Sequence, residues 1–176
     1  MPDQEQITLQ ISAAQIEQFC TELCRGSSNV SRKHATLIAL EGIITRYSST
    51  DTYSAPFHKI LSIIQDYSEQ TREQLLNEYA DELIPALAEQ NPRSISRVHE
   101  SLSRNGFDLI LDRVLNNFNA QHLASLKKWI DGWCGEAETK ALAASGFPDA
   151  LNFKGAGIAL ADYRAMSELK RKLSTL

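Results

Sequence analysis

The amino-acid sequence predicts an all-α protein: a single compact domain of about seven to eight helices, arranged as a bundle or an irregular stack of helix pairs. Apolar residues recur every three or four positions along most of the 176 residues, a spacing that gives each helix one apolar face. The 8 glycines and 5 prolines are few, whereas sandwiches and barrels place these residues in many turns. Short connections between the periodic segments are typical of helical bundles.

The first segments predict an arm followed by a helix. Apolar and polar residues alternate from Ile7 to Ile11, so residues 1–11 are expected to form a short extended arm. Ser12, with Gln15 three residues later, matches the capping box that begins a helix. Gly26 is a natural end for that helix. Its predicted apolar stripe consists of Ile16, Phe19, Cys20, Leu23 and Cys24.

Three further helices are predicted before residue 92. One runs from 31 to 47, and the next runs from 54 to 67 with Pro56 in its first turn, where proline is tolerated. Thr71 with Gln74 resembles a second capping box, so a separate helix is expected to begin there. Pro85 lies inside that helix and predicts a kink or a break.

In the second half of the chain the sequence predicts helices over 93–104 and 107–118. A third helix is predicted to have Asn119 as its N-cap and to reach Trp133. A short alanine-rich helix ending at Gly146 is expected to follow. The stretch 146–157 is then predicted to be an irregular connection that loosens the last helix from the rest. That last helix ends in Lys170-Arg171-Lys172, where cations suit the negative end of the helix dipole.

Composition indicates the compartment. The sequence contains neither an apolar run of the ~20 residues that span a bilayer nor a basic, then apolar, leader pattern at its start. Three cysteines, an odd number, argue against an oxidised disulfide framework. We therefore expect a cytoplasmic, intracellular protein with no membrane partner.

The cysteines, histidines and glycines give no catalytic, metal or cofactor signature. Cys20 and Cys24 share the first apolar stripe and are predicted to pack in the core, whereas Cys134, at the predicted helix end, is expected to be more exposed. The four histidines lie in four different helices. Gly155-Ala156-Gly157 lacks the third glycine of a dinucleotide fingerprint and the Gly-Lys-Ser/Thr of a P-loop. The sequence therefore predicts no cofactor and favours a protein that is not an enzyme.

Two surfaces are candidate binding sites. Trp129 and Trp133 lie one helical turn apart, directly after Lys127 and Lys128. The apolar residues of this segment cover more than half of the helix circumference, so one tryptophan is expected to be at least partly exposed. An exposed tryptophan beside lysine is typical of a binding hot spot, and core packing of both tryptophans is the alternative.

The second surface is a row of arginines. Arg93, Arg97 and Arg104 fall on one side of the 93–104 helix, where they can hold carboxylates or phosphates. Glu100 lies in the same row and weakens its positive field, so an ordinary solvated helix face is the alternative. Residues 1–90 contain 13 acidic and 6 basic residues, whereas residues 91–176 contain 9 acidic and 12 basic residues. The first half of the chain is therefore mildly acidic and the second half mildly basic.

These features lead to three hypotheses. The first is a non-enzymatic helical adaptor or regulator that binds another protein through Trp129 and Trp133, or associates with itself through the same surface. The second is a nucleic-acid-binding protein that uses Arg93, Arg97, Arg104, Lys127, Lys128 and the basic C-terminal end. The third is an enzyme whose site, with a histidine, a carboxylate and Cys134, is assembled only in the fold.

Overall fold

The computed structural model describes residues 11–47, 55–102 and 104–176, without the side chains of Tyr47, Ala55, Arg104 and Asn105. Within these ranges every regular element is an α-helix, so the all-α prediction is confirmed. The seven helices are α1 (Ala13–Arg25), α2 (Val30–Tyr47), α3 (Ala55–Ala88), α4 (Pro92–Ser101), α5 (Arg104–Leu115), α6 (Ala120–Ala143) and α7 (Leu160–Leu173). None of them is long and apolar enough to cross a membrane. The predicted arm falls almost entirely on residues outside the described ranges.

Contacts divide the chain into two compact units, residues 1–75 and 76–176, with the boundary inside α3. We call them the N-terminal unit and the C-terminal unit. The N-terminal unit contains α1, α2 and the first part of α3. Its core consists of Ile16, Cys20, Leu37, Ile60 and Ile64. Each unit thus buries an apolar cluster of its own.

Side-chain caps begin two of the helices, α1 and α6, at predicted positions. The backbone N–H of Gln15 donates to Ser12 Oγ at 3.3 Å, and the N–H of Ser12 donates to Gln15 Oε1 at 2.9 Å. This confirms the first capping box. Asn119 accepts from the N–H of His122 at 2.8 Å and caps α6, also as predicted. These caps satisfy donors that the first helical turn leaves without an intrahelical partner.

The prediction of a second capping box at Thr71 is wrong, because α3 runs without interruption from residue 55 to residue 88. Thr71 Oγ1 instead lies 2.9 Å from the carbonyl oxygen of Ser68 and 3.1 Å from that of Tyr67. A threonine inside a helix satisfies its hydroxyl in this way by bonding back to the preceding turn. The alanine-rich segment after Trp133 is likewise not a separate helix but the continuation of α6.

The C-terminal unit is built around its last helix. Ala165, Met166, Leu169 and Leu173 of α7 are buried, and α7 packs on α4, α6 and α5. Ser96 of α4 donates a hydrogen bond to Asp162 of α7 at 2.6 Å. The connection before α7 is irregular, as predicted, but the expectation that it loosens the helix is wrong. The buried residues of α7 recur every three or four positions and so form one apolar face. This face packs into the core of the C-terminal unit and holds the helix in place.

Candidate functional site

Two adjoining clefts of the C-terminal unit lie along α6 and the end of α3. The first has a volume of about 230 Å³ and the second about 490 Å³. Gln90 and Ser125 line both clefts, and we call the joined feature the Trp groove. The first cleft is also lined by Leu87, Ala88, Phe118, His122 and Leu126, and the second by Lys128, Trp129, Gly132, Trp133 and Glu136.

The position of the tryptophans follows from the core face of α6. Leu126, Ile130 and Cys134 are buried along the centre of that face. Trp129 and Trp133 lie beside this line, where each is half-buried and packs against the core cluster. Each indole therefore contacts the core while part of its surface remains available to solvent. Partial exposure was expected for at least one of them, and the structure places both at the groove.

Gln90, which lines both clefts, lies at the end of α3, where the helix terminates in a Schellman motif. The N–H of Asn91 donates to the carbonyl oxygen of Ala86 at 3.0 Å, and the N–H of Gln90 to that of Leu87 at 3.2 Å. This motif requires a left-handed residue, usually glycine, and Gln90 adopts it with φ of 53°. Sequence reasoning missed Gln90. Asn91-Pro92, directly after it, indicates where the helix ends, but not that the end of α3 lies beside α6.

The groove has open space between its aromatic residues. Gly132 lies between Trp129 and Trp133 on α6, and a Cβ atom added there would meet nothing within 4 Å. On α6 the lining runs from His122 to Glu136, which is about 21 Å at the helical rise. This is the length of about four helical turns, so the groove is long enough to receive a short helix.

The groove is lined by one cation, Lys128, and one anion, Glu136. Glu136 forms an ion pair with Lys140 at 3.6 Å, whereas Lys128 has no ion-pair partner among the described residues. Lys127 lines neither cleft, because one residue step turns a helix by about 100°. The structure therefore brings Lys128, but not Lys127, to the tryptophans.

The structure describes two of the three arginine side chains that form the predicted row at residues 93–104. Arg93 and Arg97 are exposed on α4, and neither guanidinium forms an ion pair within the described residues. The side chain of Arg104 lies outside the described residues. Arg93 and Arg97 are not among the residues that line the Trp groove.

Acidic residues neutralise the basic end of α7, which was a candidate for phosphate contacts. Lys170 lies 3.6 Å from Asp131, and Lys172 lies 2.6 Å from Asp112. Arg171 pairs with Asp108 and Glu168, each at 2.9 Å. These cations join α7 to α5 and α6, and the field they present to solvent is correspondingly weak.

The expectation of an exposed Cys134 is wrong. The side chain is fully buried, because α7 covers the part of α6 that contains it. Burial raises the pKa of the Cys134 thiol, only partly offset by Lys170. A thiol that stays protonated is a poor nucleophile. Nearby, Tyr163 donates a hydrogen bond to Glu138 at 2.6 Å, which raises the pKa of that phenol.

Within the C-terminal unit, the charged groups that act on the Cys134 thiol are Lys170, Glu138 and Asp131, and no histidine is among them. His34 Nδ1 lies 3.2 Å from Thr71 Oγ1, and the ring of His99 packs edge-on against Phe107 at 4.8 Å. His122 is exposed at the first cleft. In the described part of the chain, no group of three histidine, cysteine or carboxylate side chains is placed to hold a metal ion. Comparisons of the chain with family models, curated proteins and solved structures give no match.

Proposed function

We propose that the protein is a non-enzymatic adaptor or regulator that binds an amphipathic helix of another protein in the Trp groove. The observation that supports this most is the pair of half-buried indoles beside the open space at Gly132. Tryptophan is enriched at the energetically dominant positions of protein interfaces. A ring already fixed against the core loses little conformational entropy when a partner covers it.

The charge of the groove indicates the kind of helix. Within the described residues Lys128 has no ion-pair partner, whereas Glu136 is paired with Lys140. The partner helix is therefore expected to have leucine-like residues on one face and a carboxylate beside them. A nucleic-acid ligand is less well supported, since the Lys170-Arg171-Lys172 cations are already paired with acids. The shape and the apolar lining of the Trp groove therefore favour a protein partner over a nucleic acid.

Trp129→Ala is expected to weaken partner binding by about 2 kcal/mol or more, which corresponds to about a 30-fold rise in Kd. The partner is first captured from extracts of the source cells with the wild-type chain. Its affinity for the purified wild-type and variant chains is then measured by isothermal titration calorimetry. A partner that binds both chains equally would contradict the placement of the site.

Two glycines of α6 provide a matched control for this experiment. Gly132 lines the groove, whereas Gly135 does not, and a Cβ atom at either would meet nothing within 4 Å. Gly132→Leu should fill the open space and abolish binding, while Gly135→Leu should leave the Kd unchanged. Equal effects of the two substitutions would indicate a change in α6 rather than a blocked groove.

The lysines test the charge of the partner. Lys128→Glu should weaken binding by about tenfold, the effect of about 1.4 kcal/mol, because it places a carboxylate against the partner's carboxylate. Lys127→Glu makes the same change of charge at a residue that lines neither cleft, and it should have a smaller effect. If the two variants bind equally well, the acidic character of the partner helix is wrong.

Gln90→Gly is expected to raise the free energy of unfolding by about 1 kcal/mol, since glycine adopts the left-handed conformation without the penalty of a Cβ atom. The same substitution removes a side chain from both clefts and should weaken partner binding. Urea unfolding and calorimetric titration measure the two effects separately. A stabilised variant with undiminished affinity would exclude Gln90 from the binding surface.

A further inference from the structure

The first cleft of the Trp groove has the size of a site for a small molecule. Its volume is about 230 Å³, whereas an apolar cavity of ~150 Å³ is already large enough to bind benzene. Leu87 of α3 and Leu126 of α6 line the cleft and are buried, so they form an apolar floor that comes from two helices. The cleft therefore has room for one six-membered ring with a small substituent.

Two aromatic rings also line the first cleft. The ring centroids of Phe118 and His122 are 6.3 Å apart, and the ring planes are at 85° to each other. Aromatic rings prefer edge-to-face or offset contacts of this kind, at centroid distances of about 4.5–7 Å. A third aromatic ring on the leucine floor can add another such contact, which a saturated ring of the same size cannot make. The lining thus favours an aromatic ligand over an aliphatic one.

Hydrogen bonds hold the lining in place. The N–H of Phe118 donates to the carbonyl oxygen of Leu115 at 3.0 Å. The bond from the N–H of His122 to Asn119 fixes the first turn of α6, and the Schellman motif fixes the backbone of Gln90. A site whose walls are already ordered loses little conformational entropy when a ligand fills it.

Uncharged polar groups lie at the opening of the first cleft. The side chains of Gln90, His122 and Ser125 are exposed there, and none of them has a hydrogen-bond partner for its polar atoms within the part of the chain that the structure describes. An amide, an imidazole and a hydroxyl group each donate and accept hydrogen bonds. A hydroxyl group on the ligand does the same and so matches this opening. The described lining includes no Asp, Glu, Lys or Arg, which favours a neutral ligand.

We propose that the first cleft binds a neutral small molecule that has one aromatic ring and one hydroxyl group, as phenol does. The ring lies on the two leucines of the floor and against Phe118. Its hydroxyl group stays at the opening, beside Gln90 and Ser125. This site goes beyond the partner helix of the Trp groove and is tested on the chain alone, so either proposal can fail without the other.

Amide NMR spectra of the full, isotope-labelled chain, titrated with phenol, test the proposal. The signals of Ala88, Phe118 and Ser125 should move, with a dissociation constant of about 1 mM or lower, as expected for a ligand of this size. Benzene lacks the hydroxyl group and should bind about fivefold more weakly. Cyclohexanol lacks the aromatic ring and should also bind about fivefold more weakly. Benzene is the more apolar molecule, so it would bind more tightly than phenol if the opening contributed no hydrogen bond.

Two exposed alanines provide a matched pair of variants. Ala88 lines the first cleft, whereas Ala124 of α6 lines neither cleft. Ala88→Phe should fill the cleft and raise the dissociation constant for phenol at least tenfold, while Ala124→Phe should leave it unchanged. Urea unfolding verifies that both variants keep the wild-type midpoint. Phenol that binds no more tightly than benzene or cyclohexanol, that moves only signals outside the cleft, or that binds Ala88→Phe as tightly as the wild-type chain would overturn the proposal.

Discussion

A chain shortened to end at Ile158 is expected to lose the cooperative unfolding transition of its C-terminal unit. The truncation removes α7, which contributes four buried side chains and covers α4 and α6. Burial of each larger apolar side chain is worth about 1.5–3 kcal/mol, and the faces of the helices left behind also become exposed. This loss is comparable with the whole stability of a small domain, about 5–15 kcal/mol.

Tryptophan fluorescence is a suitable measurement, because both tryptophans of the chain lie in α6 and so report on the C-terminal unit. The truncated chain should show indole emission shifted toward that of solvent-exposed tryptophan, without a sigmoidal urea transition. Removal of residues 174–176 alone provides the control, since these residues are exposed. An unchanged transition midpoint in the longer truncation would show that α7 is dispensable for the core.

Local signals in the sequence were sufficient for most helix starts. Ser12 and Asn119 bond to backbone groups three residues away, so the residues that decide each cap lie within one turn. Thr71 shows the limit of that reasoning. Its spacing from Gln74 is the same as in a capping box, but apolar residues on both sides continue the helical period and extend α3 through it. A capping pattern therefore predicts a helix start only where the flanking periodicity is interrupted.

Contacts between distant segments could not be predicted in the same way. The burial of Cys134 and the ion pairs of Lys170, Arg171 and Lys172 both depend on where α7 packs. No feature of the α6 sequence contains that information. The Trp groove was predictable only in part. Helical periodicity places the tryptophans beside the core face of α6, whereas Gln90 belongs to the end of a different helix, α3. The sequence thus singled out Lys128, Trp129 and Trp133 of the groove, but not Gln90 or the residues of the first cleft.

Phe107→Ala is expected to lower the free energy of unfolding of the C-terminal unit by about 3–5 kcal/mol. Among the described residues Phe107 is the largest of the fully buried side chains, and its ring packs edge-on against His99 at 4.8 Å. Truncation removes apolar surface from the core, leaves a cavity and deprives His99 of its aromatic neighbour, an interaction worth about 0.5–1.5 kcal/mol for aromatic pairs.

Leu109→Ala tests whether this loss comes from burial rather than from a change in α5. Leu109 lies two residues further along the same helix but is 40% exposed, so its truncation leaves no closed cavity and should cost about 1 kcal/mol or less. Urea unfolding followed by tryptophan fluorescence compares the two variants with the wild-type chain. Because the surface exposed on unfolding hardly changes, Phe107→Ala should shift the midpoint while the slope stays constant. Equal losses in the two variants would mean that Phe107 contributes through helix formation in α5, and that the core of the C-terminal unit tolerates the cavity.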